Sequence, residues 1–322
     1  MALGAWLLLQ TTDSFWLGTL LAFGPRWALL LPVGLAALLS LLCKRWALLP
    51  VTLAGMVVVW PVMGWCVGGW GRVSDQKKVI ASQGPAIGSQ GGKENKFRVL
   101  TCNTLQGRAE EGLKELIWSD EPDVVVMQEW PGERAAPVSG EDGWDVGRAG
   151  GIVICSRWPI AMSEPLVSPA RSWHTIGLRC EILTPSGRVQ LVGLHLLTPR
   201  DGLEAVLSSR WRGLDGLAQV TEQRQVDGIA LERWLNEMPG PKIVAGDCNM
   251  TVESVIYRQR LGYLQNAFSV AGWGWGGTKF TRVHSVRIDH VLCDEHWRVE
   301  RCEVGPNLGS DHRPVMAVVS RK

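Results

Sequence analysis

The 322-residue chain carries 33 basic and 31 acidic side chains, and before Arg72 the only charged ones are Asp13, Arg26, Lys44 and Arg45. From Arg72 onward 30 basic and 30 acidic residues cancel, which excludes the strongly basic balance of a protein that lives on nonspecific duplex binding. Eight cysteines with no Cys-x-x-Cys argue against a structural zinc site.

Trp27–Cys43 is an uncharged run of seventeen residues and Trp46–Trp70 one of twenty-five, with Lys44 and Arg45 between them. Roughly 20 apolar residues span a bilayer, and neither run has the polar face of a helix packed on a soluble core. Seven of the seventeen tryptophans fall in the first seventy residues, several near run ends where an interfacial ring would sit. Ala2–Phe23, interrupted by Gln10, Thr11, Thr12 and Asp13, reads as a broken span, an interfacial helix or a third crossing. No small-residue cleavage pattern marks a signal peptide. Residues 1–70 are therefore expected to anchor the chain through two or three transmembrane helices. With Lys44 and Arg45 on the cytoplasmic side, the rest lies outside the cell membrane. Residues 71–96, with Gly84, Pro85, Gly88, Gly91 and Gly92 among polar neighbours, read as a flexible linker.

From Phe97 to Lys322 the texture is that of a folded domain. Strands are predicted at Phe97–Cys102, Asp123–Gln128, Gly151–Cys155, His174–Leu183, Arg188–Leu197, Ser285–Cys293, Trp297–Val304 and Pro314–Val319. Helices are predicted at Glu110–Trp118 and at Glu222–Glu237, the latter with Val226, Ile229, Ala230 and Trp234 as its apolar stripe. Strands outnumber helices and many are apolar on both faces, which suggests two packed sheets with helices outside. Cysteines in these strands read as small hydrophobes. Cys293 and Cys302, flanking a strand–loop–strand, pair if the compartment is oxidising.

Polar residues abut these apolar strands where a packed core has no use for them. Lys242-Ile-Val-Ala-Gly-Asp-Cys-Asn249 is the clearest case: Asp247 and Asn249 sit one residue apart, so on an extended backbone both project to one side at the end of a buried strand. Burying such a pair is costly unless it meets a metal, a water or another partner. Asn103 follows the first strand and Glu129 the second. His195, Asp289 and Ser310-Asp-His312 repeat the pattern. His290 points away from Asp289 on an extended strand and reads as structural, with His174, His284 and His296. Arg200, Arg210, Arg212 and Arg224 either rim a pocket for an anion or form a solvated surface. Trp273 and Trp275 lie in a glycine-rich loop that reads as packed, against the alternatives of stacking on a base or dipping into lipid headgroups.

In order, Asn103, Gln128-Glu129, His195, Gly246-Asp-x-Asn249, Arg287-Ile-Asp289 and Gly309-Ser-Asp-His312 resemble the motif set of the endonuclease/exonuclease/phosphatase superfamily, in its deoxyribonuclease I-like form, across the whole region from Phe97 onward. The anchored arrangement is similar to a membrane-anchored bacterial branch. The resemblance implies an α/β fold, a four-layer α/β sandwich of two mainly antiparallel sheets. It also implies a histidine at His195 that meets the scissile phosphate or protonates the leaving group.

Attack on a phosphodiester needs charge neutralisation, an oriented water and help for the departing alkoxide. Glu129, with Asn103 and Asp311, offers hard oxygen ligands suited to Mg²⁺ or Mn²⁺. Asp247 is the candidate to orient or deprotonate water, Asn249 to donate to a phosphate oxygen, and His312 to contact phosphate with its tautomer held by Asp289. The expected protein is a membrane-anchored, metal-dependent phosphoesterase acting on nucleic acid or a phospholipid headgroup, with no sign of an obligate protein partner. Alternatives are a phosphomonoesterase acting on inositol phosphates and a catalytically inactive tethered binding module.

Overall fold

Strand parity decides the layering. In β2 (Lys96–Asn103) and β3 (Val124–Gln128), Val99, Val124 and Val126 point into one core while Leu100, Cys102, Val125 and Met127 point into another. A strand buried on both faces needs a layer on each side. The computed structural model describes residues 2–43, 46, 48–68, 96–132, 134–138, 143–209 and 213–322. The expected linker lies outside these apart from Lys96, as do Lys44, Arg45, Arg210 and Arg212.

Two six-stranded sheets form among the described residues. One runs β15 (Trp297–Val304), β16 (Val315–Arg321), β2, β3, β5 (Ile152–Ser156), β4 (Asp145–Ala149). The other runs β10 (Gln265–Asn266), β14 (Asp289–Cys293), β9 (Lys242–Asp247), β8 (Gly187–His195), β7 (Thr175–Thr184), β6 (Ile160–Val167). Only the β2–β3 and β8–β9 pairings are parallel. Between the sheets lies a core that includes Phe97, Val126, Ile154, Leu178, Leu191 and Val291. Gly193 marks a close approach of the layers: a Cβ there would meet Val126 Cγ1 and Ile152 Cγ2 at 2.9 Å. Outside the first sheet, helix Glu110–Asp120 buries Leu113 and Ile117; outside the second, helix Gly213–Glu237 buries Leu231 and Leu235. The result is helix, sheet, sheet, helix.

Three expectations are corrected. The stripe expected on helix Gly213–Glu237 is out of phase: Leu217, Arg224, Asp227, Leu231 and Leu235 are buried while Val226 and Ile229 are exposed. Polar partners account for this, because Ser168 donates to Asp227 at 2.5 Å and Arg224 pairs with Asp13 at 2.5 Å, so the buried face is partly charged. Arg224 therefore does not rim a pocket. Cys293 and Cys302 are free thiols within the inter-sheet core, pushed upward by burial.

The expected transmembrane helices are not found as single spans. No single helix among the described residues is long and apolar enough to cross a membrane; Trp16–Phe23 and Arg26–Leu42 pass that test only together, bent by 100° at Gly24-Pro25. Helix Leu30–Cys43 is 14 residues and Leu48–Val57 is 10, the latter passing into a π-turn at Val58–Val62. At about 1.5 Å per residue, neither reaches the roughly 30 Å of a hydrocarbon core.

The first 23 residues instead pack against the sandwich. Asp13, in a left-handed conformation (φ 72°), accepts from Arg224 and from Ser254 in a buried cluster. Arg26 pairs with Glu253 at 2.8 Å and holds that carboxyl near 2 despite its burial. Cys66–Val67 forms a two-residue pairing with Trp273–Gly274, and Trp65 stacks edge-on to Trp273 and Trp275. The glycine-rich loop thus touches the N-terminal segment while Trp273 and Trp275 stay exposed.

Candidate active site

The two parallel pairings explain why distant residues meet. A parallel ladder brings like ends of its strands together, so Asn103 pairs with Gln128, the residue before Glu129, and His195 pairs with Asp247. β14 runs the other way and starts where β9 ends, placing Asp289 opposite Asp247. The loop before β16 adds Asp311 and His312, the latter bridged to Lys279.

Several of these positions need unusual backbone. Gly246 has φ 142°, and a Cβ there would lie 2.2 Å from the Leu194 carbonyl oxygen, so only glycine fits between β8 and the turn carrying Asp247. Glu129 (φ 52°) and Asn249 (φ 48°) adopt left-handed conformations that side chains other than glycine rarely take. Such strain, about 1–3 kcal/mol each, persists only where the surroundings enforce it.

Asn103 is fully buried and its amide joins two carboxylates, donating to Glu129 Oε1 at 3.0 Å and Asp247 Oδ2 at 3.1 Å while its own oxygen accepts from Leu105 N–H. Asp247 Oδ1 accepts from the Asn249 N–H at 2.9 Å. One N–H of the Asn249 amide is committed to the Leu196 carbonyl. His312 Nδ1 donates to Asp289 at 2.9 Å, and its Nε2 lies 3.7 Å from Asp247 Oδ2 and 4.0 Å from Asp311 Oδ1. Asp289 is positioned through its backbone N–H, which donates to Thr278 Oγ1. His195 Nε2 stands 3.8 Å from Glu129 Oε1.

The electrostatics follow from burial. Desolvation opposes charge on His312, yet the neighbouring Asp289 and Asp247 carboxylates outweigh it and raise the imidazole to about 9. Desolvation pushes Asp247 upward and the Asp289 charge adds to it, against the pull of His312 and His195. Asp289, though equally buried, is brought below its usual value by His312. The three form a carboxylate–imidazolium–carboxylate arrangement in which His312 keeps its proton at neutral pH.

Every residue singled out as catalytic or metal-binding from sequence lies in this region. Glu129, His195, Asp247, Asn249, Asp311 and His312 line one cavity of about 970 Å³. Asn103 and Asp289 sit behind it as buried partners of those residues. His290 points away, donating to the Met250 carbonyl at 2.8 Å with burial lowering it to about 4.

Sequence reasoning missed several cavity residues. His174 and His284, read as structural, both line it. The ring of His174 lies 6.0 Å from that of His195, and burial together with Arg171 and His195 lowers it to about 4. Lys279 pairs with Asp311. Arg171 lines the cavity with Nε and Nη2 buried and unbonded among the described residues, an arrangement that suits an anion. None of these follows an apolar strand, so no local anomaly drew attention to them.

Two sets of groups could hold a cation. Asp247, Asp289 and His312 bring ligand atoms within 4.8 Å of one another, but a proton bound as tightly as that of His312 competes for that place. Glu129 and Asp311 line the same cavity and offer carboxylate oxygens of the kind a hard divalent ion takes, and Asp311 Oδ1 is buried with no hydrogen-bond partner among the described residues.

Residues 100–312 match the model of the Endonuclease/Exonuclease/phosphatase family. A 3′ phosphatase from Neisseria bound to a product DNA hairpin has the same fold, with TM-score 0.56 at 18% identity over 69% of this chain and 98% of that one. The human Nocturnin catalytic domain with a bound sulfate anion gives 0.54 at 16% identity over 70% and 95%. D. rerio TDP2 complexed with a single-strand DNA product gives 0.51 at 16% over 70% and 99%. Likeness at these identities is likeness of fold. No curated protein matches the sequence.

Proposed function

The chain belongs to the endonuclease/exonuclease/phosphatase family, whose members hydrolyse phosphoester bonds, and from that premise we propose that this protein is a divalent-metal-dependent phosphodiesterase held at a bilayer, with nucleic acid or a phospholipid headgroup ester as substrate. The observation that carries this reading is His312, which lines the cavity with Asp247 while its Nδ1 donates to Asp289 at 2.9 Å and its Nε2 stands 3.7 Å from Asp247. A buried imidazolium there suits a phosphate oxygen, and Asp289 on Nδ1 leaves Nε2 free to face it.

Asp247 is the proton acceptor for the attacking water. Its burial and the nearby Asp289 charge make it a better base than an exposed carboxylate. The second N–H of the Asn249 amide donates to a phosphate oxygen, and Arg171 adds positive charge at the wall. His195, on the neighbouring strand, serves the leaving oxygen. Glu129 and Asp311, with Asn103 behind them, would hold Mg²⁺ or Mn²⁺, which offsets phosphate charge when bound. The metal roles of Asn103 and Asp311 are the least direct, because the Asn103 oxygen is engaged by Leu105 and Asp311 by Lys279.

Helices Leu30–Cys43 and Leu48–Val57 expose many leucines, including Leu31, Leu42 and Leu49. This supports membrane attachment through a short hairpin that dips into the bilayer without crossing it. A channel would need polar groups in the apolar runs, and Trp27–Cys43 contains only Ser40.

The purified full chain in detergent should hydrolyse bis(p-nitrophenyl) phosphate with Mg²⁺ or Mn²⁺ and stop with EDTA. Asp247→Asn and His312→Ala should each lose about 10²–10⁴-fold in kcat. Undiminished turnover in both variants would rule the reading out.

A further inference from the structure

The cavity has a mixed lining. Carboxylates and histidines line it together with the apolar side chains of Phe23, Leu197, Leu203, Leu207 and Phe280. His195 is followed directly by Leu196 and Leu197, which lead to helix Arg200–Ser209. That helix packs its Leu203 and Val206 against Trp16, Leu20 and Phe23 of helix Trp16–Phe23. Part of the active-site wall is therefore supplied by the N-terminal segment.

Phe23 also marks a height. It is the last residue of helix Trp16–Phe23, and after Gly24-Pro25 the chain turns by 100° into the exposed apolar helices. The turn is fastened to the catalytic loop that carries Lys279 and Phe280: His284 Nε2 donates to the Phe23 carbonyl at 2.8 Å and Trp27 Nε1 to the Val283 carbonyl at 3.0 Å. An indole at the root of an apolar hairpin is where a membrane–water interface would sit. Leu207, 71% exposed, and Arg282 line the same cavity, and the neighbouring Val283 is 66% exposed. A soluble polyanion has no use for these groups. An amphiphile lying in the bilayer presents its phosphate and its apolar part at the same level.

Building on the phosphodiesterase reading, we propose that the substrate is a membrane lipid phosphodiester. Its phosphate sits at His312 and Asp247 and its chain-bearing alcohol lies along Phe23, Leu203 and Leu207, so that the N-terminal segment selects the substrate as well as tethering the enzyme. The water oxygen bonds to phosphorus and the P–O bond to the chain-bearing alcohol breaks. One water proton passes to Asp247, and the departing oxygen takes a proton from the His195 side. The products are a lipid alcohol and a headgroup phosphomonoester.

The test uses the full chain reconstituted in vesicles of equal parts phosphatidylcholine, phosphatidylglycerol and sphingomyelin with Mg²⁺ or Mn²⁺. It follows release of diacylglycerol or ceramide, with glycerophosphocholine, bis(p-nitrophenyl) phosphate and single-stranded DNA as parallel substrates. Release of lipid alcohol is expected. In Leu207→Asp, at an exposed position that folding tolerates, and in Phe23→Ala, the ratio of the vesicle-lipid rate to the glycerophosphocholine rate should fall by about 10-fold or more, the usual weight of an apolar contact in substrate selection. Hydrolysis of bis(p-nitrophenyl) phosphate without lipid alcohol, faster turnover of DNA than of lipid, or an unchanged ratio in both variants would overturn this proposal while leaving the phosphodiesterase reading intact. Failure on every substrate would overturn the phosphodiesterase reading itself.

Discussion

Replacing Asp289 by Asn should shift the acid–base behaviour of His312 more than any other single change. Burial alone lowers an imidazole, and the rise of His312 from 6.5 to about 9 depends on two carboxylates, of which only Asp289 is hydrogen-bonded to it. At about 1.4 kcal/mol per pH unit, that rise favours the folded protein by about 3 kcal/mol. The lowered Asp289 carboxyl describes the same interaction and is not counted again. Because the folded value is raised, the stabilisation is complete below about pH 6.5 and is lost as pH climbs to about 9. In the metal-free protein, NMR of ¹³C-labelled histidine should find His312 titrating near 9, and denaturant unfolding should lose about 3 kcal/mol across that interval. Asp289→Asn should lower the His312 titration, leaving only Asp247 to oppose burial, and flatten this part of the stability profile. A wild-type His312 titrating at or below 6.5, or a value unmoved by Asp289→Asn, would refute the reasoning.

Three further outcomes are expected. Asp13→Ala strands the buried Arg224 guanidinium and should cost about 3–5 kcal/mol in denaturant unfolding of the full chain; a change near zero would mean the N-terminal segment is not docked. Gly246→Ala combines backbone strain of about 1–3 kcal/mol with a Cβ 2.2 Å from the Leu194 oxygen, so its Tm should fall by several degrees and activity with it. Mn²⁺ at about 100 times its Kd should raise unfolding free energy by about 2.7 kcal/mol, and Glu129→Gln should abolish that rise.

The candidate set was legible because an apolar strand bounded by a carboxylate, an amide or an imidazole is locally anomalous, and Asn103, Glu129, His195, Asp247 and Asp289 all share that signature. Trp297–Val304 was equally plain, bounded by its own pattern. Strands Asp145–Ala149 and Ile160–Val167 were not, since both are largely exposed and carry no apolar run. His174, Lys279 and Arg171 reach the cavity only through strand pairing and loop geometry. The apolar stripe of helix Gly213–Glu237 misled because the face it buries contains Arg224 and Asp227. The partner of Arg224 is 211 residues away. The runs Trp27–Cys43 and Trp46–Trp70 read as spans by length alone, whereas the helices they contain, Leu30–Cys43 and Leu48–Val57, are shorter, and the ion pairs of Asp13 and Arg26 dock the segment before them on the sandwich.

In the proposed reaction Glu129 holds the cation while His312 keeps its proton for the phosphate. Titration of the full chain with Mn²⁺, followed by EPR of the free ion, tests it most directly. Affinity should fall by about 10-fold or more in Glu129→Gln and survive in Asp289→Asn. Affinity that survives in Glu129→Gln but vanishes in Asp289→Asn would place the ion among Asp247, Asp289 and His312 and contradict it.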